Sequence, residues 1–205
     1  MSPQALIHVV DDDESLRESL LDLLDAAGYQ AQGHACTDDF LLQPPPDRPG
    51  CVLLDVRMPG RSGLELQSEL QRMGISLPIV FLTGHADVTT SVKAMKAGAV
   101  DFLEKPVQRD ALFEALRNAL ARDAEQRAAR EQRHRQDQRL SVLTPRERDV
   151  FERIVSGKLN KQIAGDLGIS LRTVKAFRAR LMHKLGVATA AELGRLAGDM
   201  DDSAP

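Results

Sequence analysis

The first half of the chain contains four short apolar runs, and each run is followed directly by a polar residue. They read LIHVV, CVLL, PIVFL and VDFLE at residues 6–10, 51–54, 78–82 and 100–104. Continuous runs of Val, Ile and Leu are typical of strands that are buried on both faces of a parallel sheet. Segments with helical periodicity separate the runs, and a weaker strand is predicted at 29–34. The pattern predicts five strands alternating with five helices in residues 1–122, which is a doubly wound α/β fold.

Only helices are predicted after residue 140. Residues 144–147 read Thr-Pro-Arg-Glu, a capping box with Pro at the first helical position, and the helix that it opens continues to Gly157. Three more helices follow: one after Asn160, one from about residue 171 to 185, and a short one opened by a second capping box at 189–192. The sequence of helix, short turn and helix over 160–185 indicates a helix-turn-helix unit.

The segment between these two patterns, residues 123–139, contains no Gly, no Pro and no large apolar residue. Its Ala, Glu, Gln and Arg residues are good helix formers. We therefore expect a charged, exposed helical linker that continues the fifth helix; a flexible charged tether is the alternative. The predicted organisation is a first domain at 1–122, this linker, a four-helix domain at 140–198 and an acidic tail at 199–205.

The charge is unevenly distributed along the chain. The 205 residues carry a formal net charge of −3, but residues 1–122 carry 11 Lys and Arg against 18 Asp and Glu, a net charge of −7. Residues 140–198 carry 11 against 5, a net charge of +6. The basic second domain suggests a polyanionic partner such as nucleic acid, although a solvated basic surface would give the same imbalance.

Composition argues against a membrane protein and against a disulfide-rich one. No apolar run reaches the roughly 20 residues that a membrane-spanning helix needs, so no membrane partner is expected. Cys36 and Cys51 are too few for a disulfide framework and fit core cysteines in a reducing compartment. Strand-like residues are followed at once by the acidic residues 11–14, which is not a signal-peptide pattern. We therefore expect a cytoplasmic protein.

Five polar side chains follow the predicted strands: Asp11, Asp12, Asp55, Thr83 and Lys105. In an open parallel sheet, ligands bind beyond the carboxyl ends of the strands, so we expect all five to meet at one site. Clustered carboxylates need a hard divalent cation, most simply Mg²⁺. Acidic residues before a helix can also serve only as its cap, but the shared register of all five residues favours a site.

The chemistry of these five groups indicates phosphoryl transfer. Asp11 and Asp12 would hold the cation, while Asp55 would act as both ligand and nucleophile. A carboxylate that attacks a phosphoryl group forms an acyl phosphate, which is a labile covalent intermediate. Lys105 and the Thr83 hydroxyl would then bind the oxygens of the new phosphoryl group.

The helix-turn-helix segment has an apolar face and a polar face. The apolar residues at helical spacing, which we expect to pack inward, are Ile163, Ala164, Leu167, Ile169, Val174, Phe177, Leu181 and Leu185. The N-terminal part of a recognition helix reaches base edges in the major groove, so Lys175 with the small Ala176 and Ala179 is the candidate for base contact. The candidates for phosphate contact are Lys161, Arg172, Thr173, Arg178 and Lys184. A helical bundle with a solvated basic face is the alternative.

Four motifs in the first domain resemble the receiver domain of two-component response regulators. They are VVDDD, LLDVRMPGRSG, FLTGHAD and AMKAGAVDFLEKP, at residues 9–13, 53–63, 81–87 and 94–106. The resemblance implies a flavodoxin-like (βα)5 fold. It implies that Asp55 is phosphorylated and that Asp11, Asp12, Asp55 and the backbone carbonyl of Arg57 bind Mg²⁺, for which Mn²⁺ or Ca²⁺ could substitute in a crystal.

The same resemblance implies how the first domain would respond to phosphorylation. Lys105-Pro106 would be a cis peptide, and Thr83 and Phe102 would be switch residues that move together. Phe102 lacks the hydroxyl of the Tyr that is frequent at this position, so any coupling would depend on packing. The responding surface would be the fourth helix, the fifth strand and the fifth helix. On the fifth helix, Leu112, Phe113 and Leu116 are the candidate contact positions, although some of the three must belong to the core.

The segments LTPRERDVF and SGKLNKQIAGDLGISLRTVKAFRARLMHKLGV are similar to the LuxR-type four-helix DNA-binding domain, over residues 140–198. With the receiver in front, the chain resembles the NarL/FixJ class, and DVRMPGRSG, LTGHADV and LTPRE point to its FixJ-like branch. One departure is Phe177, where many relatives carry His or Tyr.

The class resemblance implies a mechanism of control. A partner histidine kinase would phosphorylate Asp55. Homodimerisation, or release of a masked DNA-binding domain, would then bring recognition helices to double-stranded promoter DNA. RNA polymerase would be a further partner, with activation of transcription as the outcome.

Two other functions remain compatible with parts of the pattern. An aspartyl-phosphate phosphohydrolase commonly uses an Asp-x-Asp pair, but the position two after Asp55 is Arg57, which cannot protonate a leaving group. Constitutive DNA binding, with the first domain serving only for protein interaction, would make the complete acidic site redundant. The chain is therefore expected to be a regulator and not an enzyme, except for its own phosphotransfer and dephosphorylation.

Overall fold

The structure is a computed structural model that describes residues 5–42, 47–84, 88–189 and 192–194. The chain divides into two compact units, Met1–Gln126 and Arg127–Pro205. The predicted acidic tail at 199–205 lies outside the described residues.

The first unit is a five-stranded parallel sheet with helices on both faces, which confirms the predicted fold class. The strand order is β2-β1-β3-β4-β5, so the chain crosses over between β2 and β3. The elements in chain order are β1 Leu6–Val10, α1 Glu14–Ala26, β2 Gln30–His34, α2 Thr37–Leu42, β3 Gly50–Asp55, α3 Gly63–Arg72, β4 Ile79–Thr83, α4 Val88–Lys96, β5 Asp101–Glu104 and α5 Arg109–Ser141.

Both faces of the sheet are covered, which explains why the strands read as unbroken apolar runs. On one face, Ile7, Leu53 and Val80 pack with residues of α1 and α5; on the other, Leu54 and Phe81 pack with residues of α2, α3 and α4. Every residue of β1, β3 and β4 is buried as a result.

Two of the three contact positions expected on α5 lie in this core. Leu112 and Leu116 are both 0% exposed, which confirms the expectation that some of the three positions belong to the core. The physical reason is that α5 packs its apolar stripe onto the same face of the sheet as α1, and both leucines belong to that stripe. Phe113 is only partly buried, and its ring stacks on Tyr29 with the centroids 6.2 Å apart.

Helix α5 continues without interruption from Arg109 to Ser141, so residues 123–139 are helical. Asp123, which the sequence places at the start of the linker, is 1% exposed, and its Oδ2 accepts a hydrogen bond from the Gly50 N–H at 3.0 Å. The first unit therefore holds the helix beyond residue 122. The domain boundaries at 122 and 140 themselves stay predictions.

The second unit is built from helices that begin and end where local signals predict. They are α6 Pro145–Val155, α7 Asn160–Leu167 and α8 Leu171–Leu185, with Glu192–Gly194 in a further helical turn. Both predicted capping boxes are present, at Thr144–Glu147 and Thr189–Glu192. Gly168, at φ 64°, provides the left-handed residue that ends α7 before the turn.

Candidate functional site

The carboxyl edge of the sheet brings three carboxylates together. Asp11 follows β1 and Asp55 ends β3, and these strands are parallel neighbours in which Val10 pairs with Leu54. The adjacent strand ends therefore place Asp11 beside Asp55. One carboxylate oxygen from each of Asp11, Asp12 and Asp55 lies within 4.8 Å of the others. Asp11 and Asp55 are buried, whereas Asp12 is exposed.

The ammonium of Lys105 joins two of these carboxylates. Its Nζ donates to Asp11 Oδ2 at 2.7 Å and to Asp55 Oδ2 at 2.9 Å. Its backbone N–H donates to the Thr83 carbonyl at 2.7 Å, and the Lys105-Pro106 peptide is cis, as the resemblance to receiver domains implies. The loop after β5 is thereby held against the end of β4.

The pKa values of Asp11 and Lys105 are shifted by burial and by their direct contact. Burial raises the pKa of Asp11, assisted by the Asp55 carboxylate and opposed by hydrogen bonds from Lys105 and the Asp13 N–H. Burial alone would lower the pKa of Lys105, but its hydrogen bonds to Asp11 and Asp55 outweigh burial and the pKa is raised. The ammonium is therefore charged at neutral pH and balances one of the clustered carboxylates.

Asp11 is held from several sides by hydrogen bonds. Its N–H donates to the His34 carbonyl at 3.2 Å, and its Oδ1 accepts from the Asp13 N–H at 3.0 Å. Arg17 Nη1 donates to its carbonyl at 2.7 Å. Sequence reasoning missed Arg17; the only local signal is its position one turn after Asp13, which caps α1. The orientation of Asp11 is thus fixed by residues of β2 and α1.

Asp55 is fixed by the loop that follows it. The Arg57 N–H donates to Asp55 Oδ1 at 3.2 Å. Gly63 begins α3 so close to this loop that an added Cβ would lie 2.2 Å from the Asp55 carbonyl oxygen. Arg57 is exposed, and the role of its carbonyl as a metal ligand stays a prediction.

The two expected switch residues lie on β4 and β5. Thr83 ends β4 and is 2% exposed, and β4 is the strand paired with β3, with Leu82 opposite Asp55. Phe102 lies on β5 and is partly buried against the core, with its ring centroid 6.1 Å from that of Phe81. The structure therefore brings all five polar residues of the sequence pattern to one edge of the sheet.

The donors at this edge fit a divalent cation. Asp11, Asp12 and Asp55 supply carboxylate oxygens, which are the ligands that Mg²⁺ prefers. Lys105 supplies one positive charge to the three carboxylates, so a hard dication would compensate the remaining negative charge. Among the residues described, no other group of three His, Cys, Asp or Glu side chains meets the same distance limit.

Helices α7 and α8 form the expected helix-turn-helix. Every residue predicted to face inward belongs to the core of this unit or packs against it. The residues predicted to contact DNA that are exposed are Lys161, Arg172, Lys175, Ala176, Ala179 and Lys184. This unit thus offers basic side chains around an exposed face of α8.

Three of the predicted DNA-contact residues also make hydrogen bonds within the unit. Arg178 Nη1 donates to Asn160 Oδ1 at 3.1 Å, which ties α8 to the start of α7. The Thr173 hydroxyl lies 2.8 Å from that of Ser170, the residue that caps α8. Lys184 Nζ donates to Glu147 Oε2 at 2.7 Å.

Both units match known families. Residues 7–117 match the response regulator receiver domain, and residues 141–197 match the bacterial regulatory proteins of the luxR family. The chain is 44% identical over 209 residues to the transcriptional regulatory protein FixJ of Azorhizobium caulinodans, with 99% of each chain covered. It is 37% identical to the response regulator protein TodT of Pseudomonas putida, covering 99% of this chain and 90% of that one.

Solved structures give the same result. The response regulator StyR superposes with a TM-score of 0.78 at 45% identity, covering 95% of this chain and 98% of that one. Full-length FixJ from B. japonicum superposes with a TM-score of 0.60 at 38% identity, covering 98% and 99%.

The fold, the acidic edge and the helix-turn-helix thus define a two-component response regulator with a LuxR-type output domain. The chain belongs to the NarL/FixJ class of these regulators. The family consists of transcriptional response regulators and not of classical enzymes. No helix within the described part of the chain is long and apolar enough to cross a membrane.

Proposed function

We propose that a partner sensor histidine kinase in the cytoplasm phosphorylates Asp55 and that this phosphorylation controls sequence-specific DNA binding. One observation carries the proposal: the Asp55 carboxylate, 9% exposed, lies beside Asp11, Asp12 and the Lys105 ammonium. The Arg57 N–H donates to one oxygen of this carboxylate, and Lys105 donates to the other. These two hydrogen bonds orient the carboxylate for nucleophilic attack on a phosphoryl group.

The residues around Asp55 have distinct roles in this proposal. Asp11, Asp12, Asp55 and the Arg57 carbonyl would hold Mg²⁺, and the cation would shield the negative charge of an incoming phosphoryl group. Lys105, within 2.9 Å of an Asp55 oxygen, stabilises the charge of the phosphoryl oxygens. The Thr83 hydroxyl hydrogen-bonds that group, and Phe102 follows it through packing. Loss of the phosphoryl group to water returns the regulator to its starting state.

Two routes from phosphorylation to DNA binding are open, and one surface favours dimerisation. Val88, Val92 and Met95 are 76%, 45% and 45% exposed, at spacings of four and three residues on α4. Residues at this spacing share one face of a helix. We infer that phosphorylation makes this face of α4 bind its copy in a second molecule, with Phe113 as the contact position retained on α5. Release of a masked DNA-binding domain is the competing route.

In the DNA complex, α8 acts as the recognition helix in the major groove. Lys175, Ala176 and Ala179 face base edges. The residues that bind phosphates, and therefore give affinity more than sequence choice, are Lys161, Arg172, Thr173 and Arg178. A dimer would place two such helices on paired half-sites of a promoter, where RNA polymerase is then activated.

The test uses the full-length protein with acetyl phosphate and Mg²⁺. We expect wild type and the surface variant Asp25→Asn to gain one acyl phosphate on a phosphate-affinity gel, and Asp55→Asn to gain none. Selection from a genomic fragment library should then recover DNA only with phosphorylated protein. Sedimentation should show a phosphorylation-dependent dimer that Val92→Glu weakens.

Each alternative has its own outcome in this experiment. Equal DNA binding by wild type and Asp55→Asn in every condition would leave a constitutive DNA-binding protein. Tighter DNA binding by a species that stays monomeric would favour release of a masked domain. Rapid hydrolysis of many acetyl phosphate molecules by each protein molecule would support the phosphohydrolase hypothesis.

A further inference from the structure

Lys184 lies at a junction of three segments within the second unit. It belongs to the last turn of α8, and its ammonium donates to Glu147 Oε2 at 2.7 Å and to the Val142 carbonyl at 3.1 Å. Val142 directly follows the end of α5, and Glu147 lies in the first turn of α6. The ammonium therefore joins the chain entering the unit, the first helix of the unit and the end of α8.

Glu147 depends on this ammonium because its side chain is only 4% exposed. Its Oε2 also accepts from the Thr144 N–H at 2.9 Å and from the Thr144 hydroxyl at 3.0 Å in the capping box. A buried carboxylate that loses its cation partner is strongly destabilised. If Lys184 turned toward a DNA phosphate, Glu147 would be left buried with its negative charge uncompensated.

The surrounding core makes the junction rigid. Leu140, Leu143 and Leu181 are 4%, 8% and 0% exposed and belong to one cluster. The Leu143 N–H donates to the Leu140 carbonyl at 3.0 Å, which closes the turn after α5. The Val142 carbonyl and Glu147 therefore present a fixed pair of acceptors to the end of α8.

We propose that Lys184 is a positioning residue, which fixes α8 against the start of the domain through Glu147 and Val142, and is not a phosphate contact. This inference rests on the proposed function, because it concerns the helix that reads DNA. It replaces the role that the sequence pattern gives to Lys184. A tilt of α8 about its C-terminal end would move the base-contacting residues at its N-terminal end, so loss of the junction should reduce discrimination between sequences.

The two roles of Lys184 give different salt dependences. Removing one phosphate contact lowers the slope of log affinity against log salt by about one and weakens binding to all sequences alike. Removing a positioning residue leaves that slope unchanged, and it weakens binding to the selected DNA more than binding to random DNA. Full-length Lys184→Met, phosphorylated with acetyl phosphate, is therefore titrated against a duplex selected with wild type and against a scrambled duplex.

We expect Lys184→Met to bind the selected duplex about tenfold more weakly, with the salt slope of wild type and little change on the scrambled duplex. Glu147→Gln should show the same pattern, and the double variant should be no worse than either single variant, because both remove one junction. Lys184→Arg, which keeps the charge and can donate to both acceptors, should restore most of the discrimination.

Two control variants show what loss of a DNA contact and loss of an exposed ion pair do on their own. Lys175→Met, at a predicted DNA contact, should weaken binding without changing the thermal stability of the unit. Lys158→Met removes an ion pair to Asp166 at 2.6 Å in which the two side chains are 45% and 38% exposed, so neither stability nor discrimination should change much.

Failure of the Lys184 proposal can be distinguished from failure of the proposed DNA-binding function. If wild type binds no selected duplex, DNA control fails, and the junction is judged by thermal unfolding, where Lys184→Met and Glu147→Gln should be equally destabilised. A salt slope lowered by about one in Lys184→Met, with equal losses on both duplexes, would make Lys184 a phosphate contact and overturn the proposal. Unchanged discrimination in folded Glu147→Gln would overturn it as well.

Discussion

At the scale of single residues, the acidic edge depends on one close backbone approach. Gly63 begins α3 against the end of β3, where Asp55 lies, and the space for a Cβ at this position is filled by the Asp55 carbonyl oxygen. The sequence shows a Gly in the motif PGRSG, but the reason for it appears only in the folded chain. A methyl group here has to displace backbone, because no flexible side-chain end can move out of its way.

We therefore expect Gly63→Ala to destabilise the first unit by about 1–3 kcal/mol and to slow phosphorylation by acetyl phosphate, since Asp55 would shift. Urea unfolding and a phosphate-affinity gel measure the two effects. Gly165→Ala is the matched control: nothing lies within 4 Å of its added Cβ, and an Ala in a helix is favoured over Gly by about 0.5–1 kcal/mol. Wild-type stability in Gly63→Ala would contradict the close approach.

Glu147 gives a prediction for pH. The hydrogen bond from Lys184 and then that from the Thr144 N–H lower the pKa of Glu147 from 4.5 to about 2. A depressed folded-state pKa stabilises the fold above the unfolded-state pKa, and this contribution is lost as the pH falls through the folded-state value. The contribution of Glu147 should therefore be complete above about pH 4.5 and disappear toward pH 2.

The measurement compares wild type with Glu147→Gln across this range by thermal unfolding. Wild type should be the more stable at about pH 6, and the difference should narrow steadily below pH 4.5. Asp166 also has a lowered pKa, because Lys158 donates to it, but it is present in both proteins and cancels from the difference. A difference that stays constant with pH would contradict the ion pair.

At the scale of elements, α5 carries a buried residue of the first unit just past the predicted domain boundary at residue 122. Its composition changes after residue 122, so the sequence predicts that an exposed linker begins there. The structure keeps Asp123 in the first unit, where it is buried and accepts a hydrogen bond from the Gly50 N–H at the start of β3. A polar residue can belong to a core when its partner is distant in sequence; here the two residues are 73 positions apart.

Asp123→Ala should destabilise the first unit by about 1–3 kcal/mol, because it leaves the buried Gly50 N–H without its acceptor. Asp123→Asn keeps a side-chain oxygen and should lose less. Asp137→Ala, an exposed position on the same helix, is the control and should change stability by no more than about 0.5 kcal/mol. Urea unfolding followed by circular dichroism compares all three, and equal effects at positions 123 and 137 would refute the anchoring role.

At the scale of the whole molecule, the chain has separate cores. Among the residues that the structure describes, two hydrophobic clusters belong to the first unit and one to the second, and these clusters share no residues. The charges are also separated, with a net charge of −7 at 1–122 and +6 at 140–198. An acidic unit suits a divalent cation, and a basic unit suits DNA.

Calorimetry should accordingly show two unfolding transitions. Mg²⁺ with beryllofluoride, a mimic of the phosphoryl group, should shift only the transition of the first unit to higher temperature. The free energy of unfolding of that unit should rise by about 2.7 kcal/mol at a ligand concentration about one hundred times the dissociation constant. Gly165→Ala should move only the other transition. A single transition that shifts as a whole with either change would show that the units unfold together.

Local signals in the sequence predicted the elements and predicted which polar residues lie at the carboxyl edge of the sheet. Apolar runs, capping boxes and turn glycines are local because their energetics involve residues a few positions apart. The sequence also places Asp11, Asp55, Thr83 and Lys105 together, because parallel strands end at one edge of the sheet and each of these residues follows a strand.

Tertiary packing was needed to establish which polar and apolar side chains of α5 and α8 are buried. Leu112 and Leu116 proved to be core residues, and Asp123 proved to be an anchor. Lys184 proved to have partners 37 and 42 residues away. The physical reason is the same in each case: the partner comes from a distant part of the chain, so the burial and charge of the side chain depend on packing that no local pattern encodes.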